Sequence, residues 1–210
     1  AAWPRCLGVY RGARNEVMLP LLNWRLLLAA AVLLAATAAA PPAYRYRLDA
    51  PGSQVSARVA YFGVGHKTVR FPAMRGSLRL LPDRPEAIDL AVELDASALS
   101  AGSKPDTDYL KGKAFFDVAN HPVVRFTGER RTMTGETTAR VEGRITARGV
   151  TRPAVLAVTF AQPPARASGR EPITLIATTA INRRDFGMTS YGLIVGKTVK
   201  ITIRARLVPN

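Results

Sequence analysis

After Pro42 the apolar residues of this chain recur at every second position, and that alternation is what most limits the fold. "IDLAVELD" sets Ile88, Leu90, Val92 and Leu94 on one face and Asp89, Glu93 and Asp95 on the other. "VKITIRARL" sets Val199, Ile201, Ile203, Ala205 and Leu207 against Lys200, Thr202, Arg204 and Arg206. A helix would need a period near 3.6; a period of two belongs to a strand with one dry face. "VSARVAY", "SLRLL", "VVRFTG", "ARVEGRITA", "AVLAVTF" and "ITLIATTAI" continue the series, with Gly, Pro, Asp or Asn between them. Eight or nine strands with short connections predict an all-β antiparallel barrel or sandwich.

The largest interruption runs from Ser97 to Pro122. "SKPDTDYLKGKAFFDVANHP" has no alternation. Asp106 or Thr107 is positioned to cap a short helix through Leu110, with Gly112 ending it. An insertion of this length at one end of a barrel is where a lid or ligand gate sits. Phe115 and Phe116 lie in it and Phe126 just beyond. Such rings bury ~150–250 Å² each, as core that plugs the barrel or as the mouth of an apolar cavity.

The chemistry-bearing motifs are few. Asp185-Phe186-Gly187 matches the kinase metal-binding tripeptide, but no Gly-rich phosphate loop, strand lysine or H-R-D loop accompanies it. It reads instead as the turn after a strand ending near Ile181, carrying an aromatic plug. There is no G-x-S-x-G elbow. His66 and His121 are the only histidines and Cys6 the only cysteine, so no zinc-ligand spacing exists and no cofactor is implied.

The N-terminal part reads as three segments. Residues 1–17 are an extension without a signal-like pattern. Residues 18–40, with Arg25 and an apolar run to Leu34 followed by Ala-rich sequence, read as an N-terminal signal helix, which implies export to the periplasm. An uncleaved helix anchoring the protein to the membrane is the alternative. Residues 41–210 form the domain. Residues 1–40 hold four arginines and Glu16, so residues 41–210 retain 26 basic and 14 acidic side chains, a net of +12. That charge suits an anionic membrane surface. It comes without a long Lys/Arg block, so nucleic acid is not expected as a partner.

Several stretches, in order, resemble the YceI-like, polyisoprenoid-binding family: "YRLDAPGSQVSARV", "FPAMRGSL", "LKGKAFFDVANHPVVRFTG", "VEGRITARGVTRPAVLAVTF", "INRRDFGM" and "VGKTVKITI". The match spans about Tyr46 to Leu207. The resemblance implies an extended antiparallel β-barrel of about eight strands, lipocalin-like in shape, with a short helical insertion around an apolar tunnel. It carries no general catalytic residues. Two departures stand out. "VAYFG" has Tyr61 where the family usually has His. "DTDYL" keeps Asp108 and Leu110 of an R-D-x-H-L pattern without its Arg or His. If those positions meet a ligand's head group, this chain's ligand differs at its polar end.

The resemblance implies a non-enzymatic carrier of an isoprenoid lipid or quinone. Candidate lining residues are Val59, Tyr61, Leu94, Phe115, Phe116, Phe126, Phe186 and Met188, with Arg183 meeting a phosphate or quinone oxygen. Two alternatives are an enzyme acting on such a lipid, with His121 and Asp117 as acid–base pair, and a chaperone-like envelope protein whose cavity is filled by its own side chains. The sequence leaves the oligomeric state open, a homodimer included.

Overall fold

The computed structural model describes residues 43–81, 84–164 and 168–210. The segments 1–17 and 18–40, including the expected signal helix, lie outside the described residues. Ten strands follow in chain order: β1 Tyr44–Leu48, β2 Gln54–Tyr61, β3 Gly65–Phe71, β4 Met74–Leu80, β5 Ala87–Asp95, β6 Val123–Met133, β7 Thr138–Ala147, β8 Val150–Phe160, β9 Ile173–Asn182 and β10 Val195–Pro209. Among the described residues one α-helix, α1, spans Lys104–Lys111.

Ten strands fill eight places in the wall. β1 and β2 lie end to end along β10: Tyr46–Leu48 pair with Leu207–Pro209, and Gln54–Tyr61 with Val195–Arg204. Pro51-Gly52 breaks the strand between them. β3 and β4 repeat the arrangement against β2 and β1. There Pro72, which has no N–H to give a ladder, makes the break. From β4 the wall runs antiparallel through β5, β6, β7, β8 and β9 to β10, and the β1–β10 pairing closes it. Closure pairs most of the strand edges, so the alternating apolar residues face a shared interior.

Two departures from a regular wall shape one end of the barrel. β5 stops at Asp95, so beyond the isolated Arg70–Ser100 bridge β3 has no strand on its outer side. The insertion between Asp95 and Val123 occupies that gap. The β8–β9 ladder extends only from Phe160–Leu175 to Ala157–Thr178. β8 then carries Pro153, and a 3₁₀ turn, Arg183–Phe186, packs against β8 instead. This end, where the insertion meets the 62–64, 148–149 and 183–194 loops, is called the mouth.

Helix α1 begins earlier than the cap expected at Asp106 or Thr107, both of which lie inside it. Ser103 is the cap, its Oγ accepting from the Asp106 N–H, and Pro105 lies in the first turn. Inside the barrel, Gly143 is required by packing. A Cβ there would lie 2.1 Å from the Thr127 carbonyl oxygen and 2.9 Å from Cζ of Phe126, so the bare Cα gives that ring its place.

Tyr46 is buried among Ile88, Val158 and Phe160, and its hydroxyl has no hydrogen-bond partner among the described residues. Burial raises its pKa above the usual phenol value. Tyr46→Phe removes an unsatisfied polar atom without changing the packing, and should stabilise the fold by about 1 kcal/mol. The check is a higher urea midpoint at unchanged slope.

Candidate functional site

Among the described residues two apolar chambers lie within the barrel. The inner one, about 150 Å³, sits among the dry faces of β4–β10, including Leu78, Leu90, Phe126, Leu156, Phe160 and Ile203. Alternation along β5 places Ile88, Leu90, Val92 and Leu94 in its lining. Among the described residues, the one buried side-chain polar atom without a partner at this chamber is Nε of Arg131, whose Nη2 donates to the Pro85 carbonyl at 2.7 Å. Burial lowers the Arg131 pKa.

The outer chamber, about 400 Å³, lies at the mouth. β2 and β10 give it Ala57, Val59, Tyr61, Val195 and Val199. The insertion gives it Tyr109, Leu110, Phe115 and Phe116, and the loop before β10 gives it Met188 and Tyr191. No residue lines both chambers. Between them Phe116 meets Phe71 edge-on, with ring centroids 5.8 Å apart. Phe116 also belongs to the same packed clusters as Val124 and Ile201 of the inner chamber. The expected continuous tunnel is thus divided in two, with the Phe116 side chain in the dividing position.

The wall that α1 contributes is lightly held. None of its residues is buried, and eight residues are too few for a helix to be stable alone. Lys67 on β3 donates to Asp106 at 2.7 Å. This hydrogen bond raises the Lys67 pKa and lowers that of Asp106. Both side chains are about two-fifths exposed, so the pair adds little stability. Tyr109, Phe115 and Tyr191 form the second attachment. The Phe115 and Tyr191 rings stack at 6.0 Å, and the two tyrosine hydroxyls hydrogen-bond each other.

Arg183 is the one buried charged residue among the described residues, only 3% exposed. Its Nε donates to the Gly196 carbonyl at 3.0 Å, Nη2 to Val195 at 2.9 Å and Nη1 to Met188. The guanidinium carbon lies 6.0 Å from the Phe115 ring centroid, within cation–π range. Desolvation, with Arg184 alongside, lowers its pKa. No carboxylate pairs with it among the described residues; backbone carbonyls take the place of water. Three donors thus fasten the 188–196 backbone, which leaves at most two of the five guanidinium N–H groups for anything inside the chamber.

This closed barrel with its mouth insertion is shared with known proteins. The profile of the YceI-like domain matches residues 46–207. The chain belongs to the YceI-like family. A UPF0312 protein of Pseudomonas syringae is 30% identical over 154 residues, which cover 70% of this chain and 78% of that one. Among solved structures, BcnA of Burkholderia cenocepacia superposes with a TM-score of 0.67 at 21% identity, over 76% of this chain and 98% of that one. A polyisoprenoid-binding domain from Saccharophagus degradans, implicated in plant cell wall breakdown, gives 0.60 at 14% identity, over 79% and 98%. These likenesses establish the fold.

Within the YceI-like barrel the residues singled out from sequence divide between the chambers. Val59, Tyr61, Phe115, Phe116, Arg183 and Met188 line the outer one, and Leu94 and Phe126 the inner one. Phe186 lines neither. It packs with Ile145, Ala147, Ala154 and Met188, because the 3₁₀ turn directs it toward β7 and β8. Gly187 follows in a left-handed conformation, φ 77°, so the Asp-Phe-Gly stretch is a turn with an aromatic plug. That turn directs Arg183 inward and Arg184 outward.

His121 and Asp117, the acid–base pair of the enzymatic alternative, line neither chamber. The Asp117 carboxylate accepts from Asn120 Nδ2 at 3.0 and 3.1 Å, and the His121 ring lies against Gly149. Among the described residues no cluster of His, Cys, Asp or Glu has the geometry of a metal site. Sequence reasoning missed Lys67, Asp106, Tyr109 and Tyr191 at the outer chamber. Only the unusual density of aromatics in the two mouth loops hinted at the last pair.

Proposed function

We propose that this YceI-like protein is an exported, non-enzymatic carrier that holds a long apolar chain, of the polyprenyl phosphate or quinone type, inside its barrel. The observation that carries this reading is the pair of apolar chambers inside the barrel, separated at Phe116. The outer chamber's volume falls within the range of ligand pockets, ~300–1,000 Å³. The inner one alone matches an apolar cavity of roughly 150 Å³ that takes a benzene-sized guest. A chain entering at the mouth fills the outer chamber and reaches the inner one when Phe116 rotates aside. Each methylene buried contributes ~0.8 kcal/mol, so the chain supplies most of the affinity. Its polar end remains near Lys67 and Arg183, where charge-assisted hydrogen bonds are available. The neighbour from Saccharophagus described as polyisoprenoid-binding supports the same ligand class. The signal-like segment 18–40 supports a periplasmic location, and the +12 charge supports work at an anionic membrane.

The division into two chambers favours the rival reading in one respect, since a protein that carries no lipid needs no continuous tunnel. Native mass spectrometry separates the two: the carrier reading expects a bound lipid mass, the rival none.

A further inference from the structure

The mouth of the barrel is unusual in what it shows to water. Val64, at the tip of the β2–β3 hairpin, is 93% exposed, and Leu193, in the loop before β10, is fully exposed. Phe62 and Tyr191 beside them are 59% and 44% exposed. The two loops are joined: the Phe62 N–H donates to the Ile194 carbonyl at 2.8 Å. Single exposed apolar residues are ordinary, but four on two loops bonded side by side make a patch.

That patch is held under backbone strain. Among the described residues, four that are not glycine have left-handed backbone: Phe62, Asp117, Arg148 and Tyr191, with φ between 49° and 59°. All four lie in mouth loops. A bulky aromatic in that region is costly, and such strain gathers at functional sites.

The wall leading away from the patch has one sign of charge. β9, β10, β2 and β3 are neighbours in the sheet. Together they carry seven Lys and Arg and no Asp or Glu. Lys67 pairs with Asp106 and Arg206 with Asp49. Arg58, Arg70, Lys197, Lys200 and Arg204 are exposed and form no ion pair among the described residues. Arg58 and Lys200 even stand directly opposite each other, an arrangement that repels in water and is relieved by an anionic partner.

We propose that the mouth is a membrane-docking surface. Phe62, Val64 and Leu193 enter the interface of an anionic bilayer, while the acid-free wall meets lipid head groups. Apolar insertion combined with cationic attraction is what distinguishes a bilayer from a polyanion such as nucleic acid, which offers nothing to the apolar tips. The outer chamber then opens onto the lipid, so a chain passes between bilayer and barrel without crossing water. This last step rests on the lipid-carrier reading; the docking itself does not.

The test uses residues 41–210. They form a compact unit distinct from 1–40, and BcnA, matched over 98% of its length, shows that a chain of this barrel alone folds. The two tryptophans of the chain, Trp3 and Trp24, lie outside it, so F62W gives a single reporter. The expected results are binding to mixed phosphatidylcholine–phosphatidylglycerol vesicles that weakens with salt, and a blue shift of F62W emission that brominated acyl chains quench. V64S/L193S should bind these vesicles about tenfold or more weakly, since two apolar side chains no longer leave water. R58E/K200E should lose the preference over phosphatidylcholine alone.

Absence of vesicle binding, binding unchanged in V64S/L193S, or an unshifted F62W emission overturns the proposal. So does tighter binding to a single-stranded oligonucleotide than to the vesicles. Bound lipid is measured in the same preparation. A barrel that retains lipid yet ignores vesicles defeats docking alone, and one that docks while never holding lipid supports docking and defeats the carrier reading.

Discussion

Val59→Trp is expected to lower the affinity of the barrel for a long apolar chain by about a hundredfold while leaving it folded. Val59 stands on the dry face of β2, between Ala57 and Tyr61, and lines the outer chamber. Its neighbours across the sheet are Val199 and Lys67. An indole there extends into empty volume instead of into packed core, so the usual cost of an oversized side chain is avoided. It takes the place of about four methylenes of ligand, ~3 kcal/mol or roughly a hundredfold in affinity. Leu110→Trp, from the opposite wall of the same chamber, should do the same. Retention measured by lipid titration at unchanged melting temperature checks both. Affinity undiminished in both variants would mean that the outer chamber is not where the chain lies.

Arg183→Met should cost about 3 kcal/mol of stability. The guanidinium holds three carbonyls, of Met188, Val195 and Gly196, which otherwise face a part-buried space unpaired. Hydrogen bonds from a charged donor contribute ~1.5–3 kcal/mol each, and some of that is regained as water enters. For a domain of this size the melting temperature should fall by about 6–12 °C. Because those carbonyls lie at the start of β10 and in the loop before it, hydrogen exchange should quicken first across residues 188–196. Arg183→Lys keeps the charge but offers one compact donor group in place of a fork, so its loss should be intermediate. A wild-type melting temperature for Arg183→Met would show that the buried charge is no structural anchor.

Eight of the ten strands were legible because their physics is local, whereas β1 and β3 are short and were not among the alternating segments. Alternation in "IDLAVELD" names both faces of β5, and the structure places Ile88, Leu90, Val92 and Leu94 together in the inner chamber. The breaks at Pro51-Gly52 and Pro72 are equally plain, yet the sequence does not say that the pieces on either side of each break continue in line along one neighbour. That depends on the register of β10, whose residues meet β2 first and β1 afterwards. The helix was legible to within a few residues, since Ser103 and Asp106 are both good capping residues and only the backbone decides between them.

The mouth was the hard part. Phe186 and Phe115 are both aromatic loop residues, but one packs against Ala154 and the other lines a chamber. The choice follows from the 3₁₀ turn and from Gly187's left-handed backbone, neither of which has a two-residue period. Lys67 and Asp106 are 39 positions apart and meet only because β5 ends early and leaves β3 open to the insertion. The acid-free wall needs the sheet order, since β9 and β10 become neighbours of β2 and β3 only when the barrel closes.

The two chambers are proposed to hold one long apolar chain. Native mass spectrometry of the protein isolated gently from cells, before and after organic extraction, tests this most directly. The expected result is a bound mass that extraction removes, that fragments as an isoprenoid lipid or quinone, and that returns when the stripped protein meets a total lipid extract. A protein that carries no such mass as isolated, and takes none from the extract, would contradict it.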